Sequence, residues 1–227
     1  MTRTTQARIA GVTFLFYIAA GVSDMLLMSR ATSAEGTAAR LARVAEHASD
    51  VRLAILLVLL QCFSALVLGV TLYGITRDED HELAMLGLAC RVGEGVLGAI
   101  GIPKTLAILC LATAGAGAFS KDTGTANTIG AFLFMPGPRV PIGAIFWTAG
   151  SAIFSYLLLR GRTIPVPIAW LGIVSSVLLL VGLPLQLVGI FTGPLTGYMW
   201  APALVFELAI GPWLIIKGVA KPAIAAP

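Results

Sequence analysis

Apolar positions in this chain gather into six long runs, at 9–28, 51–75, 83–102, 140–159, 167–190 and 198–216. Each is about 20 residues or more, enough for a helix to cross roughly 30 Å of hydrocarbon. Charged or helix-breaking clusters separate them: Arg77-Asp78-Glu79-Asp80-His81-Glu82, Arg160-Gly161-Arg162 and Thr192-Gly193-Pro194. The pattern predicts an all-α polytopic transmembrane bundle of about six spans, a single helical domain over 1–227 with no linker.

Two connections are longer. In 31–49, Ala38, Leu41, Val44 and Ala48 fall near one helical stripe, with Arg40, Arg43, Glu46 and His47 off it, which predicts an interfacial or solvated helix. In 104–139, Pro103 ends or kinks the third span. The apolar stretch 106–119 is too short to cross alone, leaving a re-entrant or interfacial segment, or a continuation of the third helix. Met135-Pro136-Gly137-Pro138-Arg139-Val140-Pro141 reads as extended and stiff, since each proline fixes its φ and biases its predecessor away from helix.

Composition agrees with a lipid solvent. Of 227 residues, 58% are hydrophobic and 11% charged, whereas soluble domains carry about 25% charged residues. The formal net charge of +4 comes from basic residues scattered at helix ends, which fits lipid headgroups and excludes a nucleic-acid surface. Arg3 and Arg8 before an apolar run imitate a signal peptide. The run is long enough to span and no convincing cleavage site follows, so a retained first helix is expected. The N-terminal arginines, the Arg160-Gly161-Arg162 turn and Lys217 and Lys221 place both termini in the cytoplasm of a bacterial inner-membrane protein, although Arg30, Arg40 and Arg43 oppose that orientation. Cys62, Cys90 and Cys110 lack metal-ligand spacing and read as packing residues.

Three stretches carry a family resemblance: Ala7-Arg8-Ile9-Ala10-Gly11 in the first helix, Arg91-Val92-Gly93-Glu94 in the third, and Phe206-Glu207-Leu208-Ala209-Ile210-Gly211-Pro212-Trp213-Leu214-Ile215-Ile216-Lys217-Gly218 at the end. With them the chain resembles, over nearly its whole length, the domain-of-unknown-function family DUF4386 of bacterial membrane proteins. The resemblance implies a multi-helix membrane fold and brings no activity or catalytic residues. The proline-rich 135–141 departs from the smoother apolar run of the family, so helix four is expected to start later here.

The informative residues are the ionisable ones inside the spans: Asp24, Arg91, Glu94 and Glu207, with Arg52 at a helix entrance. A charge at the bilayer centre costs at least about 2.5–3.5 kcal/mol, so these groups should face the bundle interior. At about 1.5 Å per residue, Glu94 lies about 13 Å and Glu207 about 14 Å below the outer edge. Arg91, three residues before Glu94, shares its face. Asp24 comes out about 8 Å below the outer surface, near the level of Arg52, and Gln61 falls near the midplane. A network is predicted in which Glu94 and Glu207 share Arg91, with Asp24 and Arg52 above. Two carboxyls against one guanidinium leave one excess negative charge, which favours holding one carboxyl as a neutral acid.

Ion pairs of this kind also serve simply to keep helices in register. The functional alternative adds a cavity, lined by Arg91, Glu94, Glu207, Asp24, Arg52 and Gln61, for an amphipathic or lipid-like small molecule. Two rivals stay open: an integral membrane enzyme using Glu94, Glu207 or Asp24 as general acid on an apolar, isoprenoid-like substrate, and a small proton-coupled transporter. In favour of the last, Gly11, Phe14, Ala20, Ser23, Leu26 and Leu27 recur at constant offset as Gly143, Phe146, Ala152, Ser155, Leu158 and Leu159, the mark of an inverted three-plus-three repeat.

The remaining motifs point to ordinary roles. His47 and His81 have no partner at ligand spacing, so no metal or haem is expected, and no cofactor is implied. Gly93, Gly95, Gly98 and Gly101 lack a preceding strand and read as a small-residue packing face. Trp147, Trp170, Trp200 and Trp213 read as anchors or core, and the acidic 78–82 loop as a solvated turn. The expected partners are membrane lipids and a hydrophobic small molecule, with no nucleic acid; no feature sets an oligomeric state.

Overall fold

A computed structural model describes residues 1–114, 123–135 and 140–220. It is all-helical among those residues: α1 (Arg3–Thr32), α2 (Thr37–Glu46), α3 (Ala48–Thr76), α4 (His81–Gly98), α5 (Gly101–Thr113), α6 (Thr123–Phe134), α7 (Ile142–Arg160), α8 (Val166–Leu187), α9 (Leu195–Tyr198) and α10 (Ala201–Ile216). Six stretches within them are long and apolar enough to cross a membrane: α1, α3, α4 with α5, α7, α8, and α9 with α10. The protein is a polytopic helical membrane protein.

The third span is broken where proline chemistry requires. Pro103 has no N–H for the carbonyl of Ala99 and its ring crowds that group. A tight turn replaces the missing bond, with the Ile102 amide donating to the Ala99 carbonyl at 3.1 Å. Pro103 thus sits in the first turn of α5, where its missing donor costs nothing, and 106–113 continues this span. The twelve-residue α6 is a separate helix too short to cross. Pro136–Arg139 and 115–122 lie outside the described residues. Helix α7 starts at Ile142 after an extended Pro141, two residues later than the apolar run.

The chain divides into two compact units. Unit one holds Met1–Ile18, Cys62–Gly98 and Pro138–Pro227; unit two holds Ala19–Gln61 and Ala99–Gly137. Helices α1 and α3 each pass from one unit into the other.

Unit one has a core of Phe14, Leu68, Leu72, Ile75, Phe154, Leu157, Phe206 and Ile210. Its helices approach closely where glycines remove bulk. A Cβ on Gly11 would lie 2.5 Å from the Gly211 carbonyl oxygen, so α1 and α10 touch backbone to backbone. The glycines of the third span do not form one face. Gly95 and Gly98 meet Cys62 of α3, Gly93 meets Phe146 of α7, and Gly101 has open space beside it. At one end Arg3 pairs with Asp78 and Arg160 with Asp80, each at 3.3 Å, while Asp80 Oδ1 caps α4 by accepting from the Leu83 amide at 3.1 Å. The acidic loop is therefore tied down by ion pairs and a cap rather than merely solvated.

Unit two packs Ala31, Val44, Val51, Ile108 and Leu109 together. Val44 is buried and Leu41 and Ala48 are half-buried, but Ala38 is exposed, so the stripe of α2 begins a turn later than its spacing implies. Arg43 donates to the Arg30 carbonyl at 3.0 Å and Arg40 to the Ala34 carbonyl at 2.9 Å. The first of these meets the acceptor-rich C-terminal turn of α1, where cations are favoured. Of the recurring residue pairs, Gly11 and Gly143 both admit a neighbouring backbone, yet Ser23 and Leu26 are exposed where Ser155 and Leu158 are buried.

Candidate functional site

Arg91, Glu94 and Glu207 are the only buried ionisable side chains among the described residues, at 1%, 5% and 5% exposure. All three belong to unit one. Two glycines make room for the arginine. A Cβ on Gly69 of α3 would approach the Arg91 Cβ to 2.9 Å, and one on Gly150 of α7 would approach its Cδ to 3.3 Å. The stem of Arg91 is thus walled in by two helix backbones, which directs its guanidinium inward, over the Tyr17 ring of α1 at 5.9 Å from the centroid.

Glu94, one turn further along α4, lies beside that guanidinium. Arg91 Nη1 and Glu94 Oε2 are 2.9 Å apart, but the contact is off-axis and neither atom makes an aligned hydrogen bond. The other oxygen, Oε1, accepts from the Tyr17 hydroxyl at 2.7 Å. Glu207 of α10 is held differently. Its Oε1 accepts from Trp147 Nε1 at 3.3 Å, and Trp147 stacks on Trp200 with centroids 5.9 Å apart and planes 12° from parallel. The stack leads outward from the carboxyl, with Trp147 9% and Trp200 36% exposed.

The predicted sharing of Arg91 is therefore not how these side chains pair. Arg91 makes an ion pair with Glu94 alone among the described residues. The second carboxyl takes the Trp147 indole instead. Tyr17 and Trp147 complete the centre and were not among its predicted members. Aromatic residues in a span read as packing or anchoring, and only tertiary structure shows that their polar ends meet carboxylates.

Two guanidinium nitrogens, Nε and Nη2, meet no acceptor among the described residues, while Nη1 is spent on the ion pair with Glu94. A buried donor left unpaired costs about 1–3 kcal/mol, while a cation over an aromatic face returns about 0.5–2 kcal/mol. The tyrosine ring does not offset two idle nitrogens. Chemically, the centre offers strong donors at Arg91, a doubly engaged carboxylate at Glu94, and a second carboxyl whose Oε2 accepts no hydrogen bond among the described residues.

Asp24, Arg52 and Gln61 belong to unit two. Asp24 is half-buried and Arg52 is exposed; among the described residues no ion pair joins them or engages either. Gln61 is half-buried, its side-chain oxygen against the backbone of Gly21. His47 bonds Asp50 at 3.2 Å. Among the described residues no group of three or more His, Cys, Asp or Glu could hold a metal.

A helical membrane fold with, among the described residues, one buried, charged centre defines the class of this protein. A family model described as a domain of unknown function, DUF4386, matches residues 9–218, and the chain belongs to that family. No curated protein and no solved structure matches it.

Proposed function

We propose that this protein holds a small amphipathic, lipid-like molecule inside the membrane, with the polar end of that molecule on the Arg91, Glu94 and Glu207 centre. The observation that carries the reading is the guanidinium of Arg91, at 1% exposure, with Nε and Nη2 lacking an acceptor among the described residues. A charged side chain placed so deep is costly unless its donors are used. A polar head group entering between the helices uses them, and the apolar tail stays in lipid. We further propose that the protein lies in a bacterial cytoplasmic membrane with both termini inside, a reading supported by Arg3, Arg8, Arg160, Arg162 and Lys217 at the helix ends.

The test is to purify the protein in a mild detergent, extract it with organic solvent and compare the extract by mass spectrometry with that of Arg91→Met and Arg91→Lys variants. One apolar class should be enriched over bulk lipid in the native protein and at least about tenfold depleted in Arg91→Met, a loss of about 1.4 kcal/mol. Extracts indistinguishable from bulk lipid for folded native protein and folded Arg91→Lys alike would remove the proposal.

A further inference from the structure

The charge and donor inventory of the centre selects among head groups, and this selection rests on the binding reading above. The buried centre contains one guanidinium and two carboxyls, with no other buried ionisable side chain among the described residues. Arg91 and Glu94 already form a pair at 2.9 Å. An anionic head would place a further negative charge against two acids and a single base that is already paired, which a dry site opposes strongly. An ammonium head carries no acceptor at all, so it would leave Nε and Nη2 of Arg91 as idle as before and add a second cation beside the first. A hydroxyl has two acceptor lone pairs and one donor. Its oxygen can take N–H bonds from Arg91, and its hydrogen can be given to Glu207 Oε2, the carboxyl oxygen that Trp147 leaves unused. No net charge is added.

We infer that the molecule held at this centre is a long-chain alcohol, its neutral hydroxyl accepting from Arg91 and donating to Glu207.

The protein carries a reporter for this step, because Trp147 bonds Glu207 and stacks on Trp200. The full-length protein in phosphatidylcholine nanodiscs is titrated with oleyl alcohol, oleate and oleylamine, which share one tail and differ only in the head. Tryptophan emission is recorded beside isothermal calorimetry as an independent readout. Oleyl alcohol should bind saturably, and oleate and oleylamine at least about tenfold more weakly. Arg91→Lys, which keeps the charge but not the fork of donors, should weaken the alcohol at least about tenfold. Glu207→Gln removes the excess negative charge while keeping a carbonyl acceptor. That one oxygen already serves Trp147, so the alcohol should weaken at least about tenfold while oleate comes up by about tenfold.

Tighter binding of oleate or oleylamine than of the alcohol to the native protein would overturn the alcohol assignment and leave the binding reading standing. So would an oleate affinity unmoved by Glu207→Gln, which would show that the charge inventory does not govern selection. Binding by none of the three also overturns the assignment; the extraction experiment then separately decides whether the centre binds a lipid-like molecule of another kind.

Discussion

Two ion pairs of the same chemistry sit in unit one and live under opposite rules. Arg160 and Asp80 meet at 3.3 Å at a helix end, their side chains 49% and 29% exposed. Arg91 and Glu94 meet at 2.9 Å with 1% and 6%. In the first, water and salt screen the attraction and can replace either partner, so the pair is worth about 0–1 kcal/mol. In the second nothing replaces a lost partner, and breaking such a pair typically costs about 3–5 kcal/mol, because a charge is stranded. Distance alone does not rank the pairs. Access to water does.

The sharpest way to break this comparison is Arg91→Met, which strands Glu94 and Glu207 together. It should lower stability by about 3–5 kcal/mol, read as a large drop in thermal midpoint in detergent. Next comes Gly150→Leu, which drives a side chain into the space where a Cβ would already lie 3.2 Å from Cys90 Cβ and 3.3 Å from Arg91 Cδ. Overpacking of this kind costs about 1–3 kcal/mol, and the effect should be additive with Arg160→Ala but not with Arg91→Met. Glu94→Gln follows. Its carbonyl still accepts from Tyr17 while Arg91 keeps the charge of Glu207 nearby, so about 1–2 kcal/mol should be lost, well short of Arg91→Met. Equal melting shifts in the two variants would show that the buried pair behaves like the exposed one. Smallest is Arg160→Ala, about 1 kcal/mol or less and vanishing in high salt; a salt-independent loss would contradict the assignment of that pair as screened.

The six spans were legible because lipid demands about 20 apolar residues in a row and punishes any interruption. Their ends were less so. Helix α1 runs to Thr32 and α3 begins at Ala48, since a helix can continue through headgroups on backbone bonds alone once the apolar run stops. Helices α5 and α6 were ambiguous for a related reason: 13 and 12 residues satisfy no spanning length, and only the turn at Ala99 reveals that α5 continues the third span. Arg91, Glu94 and Glu207 stood out because charges are rare in lipid. Counting residues along a helix gives depth but not direction around the axis, which is why Asp24 and Arg52, at similar computed depth, form no pair. Nothing in sequence spacing distinguishes the carboxyl that takes the guanidinium from the one that takes an indole.

The backbone contact of Gly11 with Gly211 has a consequence for biogenesis. Helix α1 has its seat on α10, which follows it by many helices, so α1 must wait in the bilayer until α10 is made. Until α10 is inserted, the centre lacks Glu207 and Trp147 is without a carboxyl to bond. Assembly of the polar heart of this protein is thereby deferred until α10 is in place, and a chain truncated before residue 200 would retain most of its described spans yet lack the carboxyl that closes the centre.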